Sequence, residues 1–562
     1  VKNYREMVEY SCKNYAQNIA YKYKKDYTAK NVEYIEKKYE QVGKDIKAFG
    51  TGLLNLDLMG ERIIVVGKNR YEWCISYLAT TCSNMVIVPI DKALPDIEMQ
   101  RLIERSEAKA IIFDEKYLET VKKVQEKENS NLKTLICMDN IQEKGIKTFN
   151  EILEEGRNQI KNGDQKYDNI EIDENKMSIM LFTSGTTNEP KAVMLSQANI
   201  CANISNIACW VKLYPTDVLL SFLPIHHTFE CTITFLYGFY SGSQVAFCDG
   251  LKHIQQNLKE YKVSVFVAVP LVLETMYKKI QKAIEEQGKT GLIKKMTKIS
   301  NTLLKAKIDI RKIVFKQILD NFGGHLRVVL YGAAPMNKAT IIGYNNLGIS
   351  LVQGYGLTET SPVVTAETDK EKRPGSIGLA LANLNLKIAN PDNEGVGEIT
   401  VKGPSVMLGY YKNPEETKKV LKDGWFSTGD YGYKDKDGFV YITGRKKDII
   451  VLKNGKNVYP QEIEFLINKI PYIAESLVYS RDKDTTDTML CAKIVYDKDA
   501  IKQMIGEKTE EEYKEIIWQE IKKINQELPI FKKIKNITIT TEPLKKTTTQ
   551  KVKRYEELKN LT

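Results

Sequence analysis

The chain has 562 residues, too many for one ordinary domain and enough for two or more with sizeable cores. At 42% hydrophobic and 28% charged residues it is globular rather than disordered, and 83 basic residues spread among 72 acidic ones lack the clustered basic face of a nucleic-acid binder. Nine scattered cysteines without a C-x-x-C pair read as buried free thiols in a reducing compartment, and four histidines leave little for a Cys/His metal site.

Val1–Tyr15 shows no signal-peptide h-region. Short apolar, β-branched strands then alternate with amphipathic helical stretches. Arg62–Val66, Met85–Pro89, Met177–Phe182, Val263–Val269 and Arg327–Tyr331 read as strands, and Asp96–Ser106 as a helix. That alternation predicts α/β layers with buried, largely parallel sheets. The longest apolar run, Val263–Leu273, is about half a membrane span and contains Pro270. A cytoplasmic protein, at most peripheral to a membrane, is expected. Residues 277–322 are Lys-rich with apolar residues at helical spacing, which predicts a helical insertion.

From Val396 the pattern becomes turn-rich β. Gly397–Lys402 and Phe439–Thr443 read as strands, the second preceded by the turn Asp435-Lys436-Asp437-Gly438. After Gly444-Arg445-Lys446-Lys447 a compact unit begins: strand Asp448–Leu452, helix Pro460–Ile470, strands Ser476–Tyr479 and Met489–Tyr496, and a helix over Thr509–Glu527. The boundary is placed at about residue 446.

The stretch with most chemistry is Leu181-Phe182-Thr183-Ser184-Gly185-Thr186-Thr187-Asn188-Glu189-Pro190-Lys191-Ala192. Backbone N–H groups, hydroxyls and an ammonium following a strand are what a polyphosphate needs, because its charge spreads over many acceptor oxygens. It is not a Walker A loop; the G-x-x-x-x-G-K-[ST] spacing is absent.

With its neighbours this stretch resembles the phosphate loop of the acyl-adenylate-forming superfamily, which includes acyl-CoA synthetases, luciferases and peptide-synthetase adenylation domains. The family pattern has Gly where this chain has Asn188 and Ala192; neither change removes a ligand-bearing side chain. Further motifs follow in family order. Tyr331-Gly332-Ala333-Ala334-Pro335 resembles the turn lining the adenine and the acyl carboxylate. In Tyr355-Gly356-Leu357-Thr358-Glu359 the resemblance sets the ring against adenine, Thr358 near the α-phosphate and Glu359 on Mg²⁺, a hard cation suited to a carboxylate. Trp425-Phe426-Ser427-Thr428-Gly429-Asp430 matches the segment whose Asp grips the ribose hydroxyls, and Arg445 matches the family's nucleotide-contacting Arg. Lys447 falls at the interdomain hinge, about 444–448. Lys551 aligns with the Lys that neutralises the α-phosphate during adenylation, with Gln550 in place of the usual Gly.

Leu223-Pro224-Ile225-His226-His227-Thr228-Phe229-Glu230 resembles the segment bordering the acyl channel, with His227 contacting phosphate or gating the tunnel. Paired histidines could instead be packing neighbours. The Phe-Glu pair, the insertion at 277–322 and the Thr-rich tail resemble bacterial long-chain fatty acyl-CoA synthetases. The resemblance implies a large, multi-layered α/β N-terminal domain (1–445) of mostly parallel sheets with flanking helices, and a small mobile α+β lid (446–562). It implies ATP, Mg²⁺ and coenzyme A, with a fatty acid as substrate and an acyl carrier protein as the alternative acceptor.

Overall fold

The computed structural model describes residues 1–26, 28, 31–183, 190–368, 371–452, 456–482, 488–546, 552–559 and 561. The chain divides into two compact units, Val1–Asn385 with Val401–Phe426, and Leu386–Thr400 with Ser427–Thr562.

The first unit holds two large sheets. In one, strands Met177–Thr183, Val86–Pro89, Arg62–Val66, Ala110–Phe113, Thr134–Cys137 and Lys147–Thr148 run parallel in that spatial order. Lys191–Ser196 and then Gly409–Tyr410 close its edge antiparallel. The other has six parallel strands, including Val265–Ala268, Val328–Tyr331 and Ser350–Gly356, with antiparallel strands at both edges. Ile63–Val66 and Ile111–Phe113 are fully buried, as continuous apolar strands must be when helices cover both faces of a parallel sheet. Asp96–Ser106 buries Met99, Leu102 and Ile103, one stripe at i, i+3 and i+4, and stops where Glu107 turns left-handed at φ 52°.

The second unit contains the hairpin of strands Trp425–Lys434 and Val440–Arg445, most of the first strand and all of the second. It also contains a three-stranded sheet of Ile473–Asp482, Thr488–Tyr496 and Asn536–Thr540. Helices Pro460–Ile467 and Glu510–Glu527 pack Ile463, Ile467, Tyr513, Ile517 and Ile521 onto that sheet, giving the expected α+β unit its own core.

Several boundaries differ from the sequence reading. The helical stretch expected from residue 277 starts at Pro270, because proline fits the first helical position and biases Val269 to extended backbone. It comprises helices Pro270–Glu286 and Thr290–Lys305 followed by short turns. The helix expected to reach Ile470 ends at Ile467, and the strand read as Asp448–Leu452 shrinks to Ile450–Val451. All nine cysteines are free, but Cys209 is exposed on its helix, with Cys12 and Cys248 half-buried, so the buried-thiol reading holds for six of them.

Candidate nucleotide and carboxylate site

The loop with the polyphosphate composition is bracketed by an antiparallel pair in which Thr183 faces Lys191. Ser184, Gly185, Thr186 and Thr187 lie outside the described residues. The Thr183 hydroxyl donates to the Lys191 carbonyl at 3.4 Å. The next strand in the sheet, Gly409–Tyr410, sets Tyr410 opposite Val193, and this register carries the Tyr410 ring to 5.0 Å from the Lys191 ammonium. Asn413 then caps helix Pro414–Val420, accepting from the Glu416 N–H. Glu416 thereby meets Lys191, Nζ to Oε2, at 2.6 Å. Lys191 first, and Lys419 second, hold the Glu416 carboxyl down at about 2.

Tyr410 also reaches Glu359, its hydroxyl donating to Oε1 at 2.9 Å, while the Met407 N–H donates to the Glu359 carbonyl at 2.9 Å. Burial first, and the Glu359 charge second, push the Tyr410 phenol up, so it stays a donor. Among the described residues none engages Glu359 Oε2. No group of three His, Cys, Asp or Glu among the described residues could hold a metal. A divalent cation would therefore rest on Glu359 together with phosphate oxygens and water, a donor set that suits Mg²⁺.

Gly332–Ala334 follows, and Tyr355–Glu359 spans, the carboxyl end of one of two adjacent parallel strands, Val328–Tyr331 and Ser350–Gly356, where open α/β sheets bind ligands. A side chain at Gly332 would stand 2.6 Å from the Gly354 carbonyl oxygen, and one at Gly356 would stand 1.9 Å from that of Pro362. The glycines thus permit two strand ends and a return segment to close together. Ala333 is left-handed at φ 71°, which exposes it and Ala334. Tyr355 and Thr358 are half-buried.

His227 Nδ1 accepts from the Phe229 N–H at 3.3 Å. Its neighbour His226, not His227, lines a cavity of about 10 Å³ with Tyr77, Leu181, Ile200, Cys231 and Thr232. That space suits about one water and no hydrocarbon chain. Burial lowers the His226 pKa, with Asp91 opposing and Lys92 adding to it. Glu230, four residues further along the chain, is fully buried at the start of the wide helical turn Glu230–Tyr237. Thr234 donates to Oε2 at 3.0 Å, and Oε1 lacks a hydrogen bond of good geometry among the described residues, with Ser221 and the Phe222 N–H close to the carboxylate. Desolvation pushes this carboxyl up to about 8, with Ser221, Thr234 and the Phe222 N–H pulling the other way.

In the second unit Asp430 and Arg445 are register partners across the hairpin, with Arg445 Nε 2.8 Å from Asp430 Oδ1. Asp430 is buried and Arg445 half-exposed, so the guanidinium stays open to a ligand. Lys447 follows on a single tight turn, Lys446–Asp448. Lys551 lies outside the described residues.

Each unit thus gathers some of the residues singled out in the sequence: Thr183, Lys191 and Glu359 in the first, and Asp430 with Arg445 in the second. The sequence reading missed Tyr410, Glu416 and the burial of Glu230. The Asn-Pro-Glu-Glu run at 413–416 marks a capped helix start, a local signal that announced Glu416's helix without its partner.

The AMP-binding enzyme family matches residues 8–411, and the AMP-binding enzyme C-terminal domain matches residues 447–561. The chain is 30% identical over 497 residues to long-chain-fatty-acid–CoA ligase 6 of Mus musculus, covering 82% of this chain and 70% of the relative. It is 28% identical over 563 residues to the chloroplastic long-chain-fatty-acid–[acyl-carrier-protein] ligase AEE15 of Arabidopsis thaliana, covering 87% and 76%. ATP-bound MatB from Rhodopseudomonas palustris superposes with a TM-score of 0.76 at 23% identity over 98% of each chain, a likeness of fold.

Proposed function

The chain belongs to the AMP-binding enzyme family, and from that premise we propose that it is a fatty acid–CoA ligase that forms AMP, acting on long-chain acids. In the first step a carboxylate oxygen attacks the α-phosphorus of ATP, the bond to the β-phosphate oxygen breaks, and acyl-AMP and pyrophosphate result. In the second the coenzyme A sulfur attacks the acyl carbon, the acyl–phosphate C–O bond breaks, AMP leaves, and the thiol proton passes to solvent. Mg²⁺, when bound, neutralises phosphate charge; the chain's part is positioning and charge complementarity.

The observation that carries this reading is the Lys191–Tyr410–Glu359 arrangement, an ammonium and a carboxylate held on either side of one tyrosine. A cation for phosphate and an anion for a phosphate-bound metal are both required where a polyphosphate is cleaved. Thr358 beside Glu359, the Gly332–Ala334 turn, Asp430, Arg445, Lys551 and His227 keep the roles that the resemblance implies, with Lys447 as the pivot.

Product analysis of the purified protein with Mg-ATP, coenzyme A and acids from acetate to oleate tests this. Acyl-CoA and AMP with the long acids are expected; ADP, or thioester from acetate alone, would defeat the reading. The relative named for an acyl carrier protein supports a second acceptor. Pyrophosphate exchange without acyl-CoA would move the second step to a carrier thiol.

A further inference from the structure

The Lys-rich insertion leaves an apolar edge exposed. Helix Thr290–Lys305 carries six aliphatic or thioether side chains on one arc, of which Ile293, Met296 and Leu303 are half-buried beside the buried Ser300, while Leu292, Ile299 and Leu304 are not. Leu292 is 53% exposed, and Ile299 and Leu304 are also exposed. The same holds just beyond, where Ile308 is 53% and Ile313 77% exposed. An amphipathic helix in a globular unit ordinarily buries its apolar stripe; this one leaves the Leu292 and Ile299 edge of it in solvent.

Charge surrounds that stripe. Residues 287–319 contain nine Lys or Arg and one acidic residue, Asp309. Asp309 is already bound by Arg311 at 2.7 Å. Lys294, Lys295, Lys298 and Lys305 occupy the opposite arc of the helix, all exposed. A partner protein could match either the apolar or the basic part, but a bilayer with anionic headgroups matches both at once. It takes apolar side chains at the acyl boundary and ammonium groups at the phosphates. No helix among the described residues is long and apolar enough to cross a membrane, so the contact would lie along the surface.

We infer that residues 290–316 are a docking surface for anionic membrane, by which the protein sits on a bilayer. The inference does not depend on the reaction proposed above. The test is co-sedimentation of the full chain with vesicles of phosphatidylcholine alone, or of phosphatidylcholine with an equal part of phosphatidylglycerol. The protein should bind the second kind, and added salt should release it. Lys294→Glu with Lys295→Glu and Lys298→Glu should weaken binding by about a hundredfold or more. Leu292→Ser with Ile313→Ser, at positions already in solvent, should weaken it about tenfold at unchanged charge. Failure to bind phosphatidylglycerol vesicles, equal binding to neutral ones, or full binding by both variants would overturn the inference. So would a wild-type dimer that the Leu292→Ser/Ile313→Ser variant converts to monomer with vesicle binding intact. Should the charge-reversed protein fail to fold, the salt titration and the apolar variant decide alone.

Discussion

The Lys191 ammonium lies 2.6 Å from the Glu416 carboxylate. If Lys191 receives a nucleotide phosphate, Glu416 competes for the same donor. Glu416→Gln removes the competing charge, so a non-hydrolysable ATP analogue should bind several-fold more tightly, measured by calorimetry. Lys191→Ala should weaken it by at least tenfold, the loss of one charge-assisted contact. Unchanged affinity in both variants would detach the pair from the nucleotide.

Tyr410 orients the carboxylate that would carry the cation. Tyr410→Phe keeps the ring under Lys191 and loses only the hydroxyl on Glu359. Partners of this kind typically cost about tenfold or more in metal affinity when removed. Mn²⁺ binding in the presence of the analogue, followed by electron paramagnetic resonance, should weaken accordingly. Tyr411→Phe, which loses a hydroxyl bound to Glu107 at 3.0 Å, should leave it alone. Equal losses in the two variants would reduce Tyr410 to strand packing.

The role proposed for Asp430 is to accept from the ribose hydroxyls. Asp430→Ala should therefore weaken ATP about tenfold or more, in line with lost hydrogen bonds to a charged acceptor. Binding of 2′,3′-dideoxy-ATP should change little. A matching loss for both nucleotides would mean that Asp430 acts by holding Arg445.

Glu230 links stability to pH. Its folded-state pKa, raised to about 8 from 4.5, makes the folded protein the stronger proton binder between those values. Stability is thus fully present below about 4.5 and falls as pH rises towards about 8, at most about 1.4 kcal/mol per pH unit. Glu230→Gln, neutral throughout, lacks that slope. Urea midpoints at pH 5 and pH 8 should show the variant gaining on the wild type at the higher pH; a pH-independent difference would place Glu230's proton elsewhere.

Lys551→Ala should cripple adenylation far more than thioester formation from preformed acyl-AMP. Equal losses in the two half-reactions would remove Lys551 from the first step.

Much of this protein is a local property of its sequence. Arg62–Val66 and Asp96–Ser106 were legible to the residue, because a continuous apolar strand and a helical apolar stripe are both set by which side chains must be buried within a few residues of one another. The run at 183–191 stood out for a similar reason: the hydroxyls, glycine and lysine expected of a phosphate-binding turn come from consecutive residues. Asp430 and Arg445 were each picked from motifs, although only the hairpin register makes them partners. Tertiary structure alone decided the rest. Tyr410 reaches Lys191 and Glu359 because a two-residue strand adds to a sheet edge more than two hundred residues away in the chain, and no local pattern encodes that pairing. Burial likewise turned Glu230 from an ordinary acid into a proton holder and set His226, not His227, against the cavity. Desolvation depends on everything packed around a group, which a sequence window does not contain.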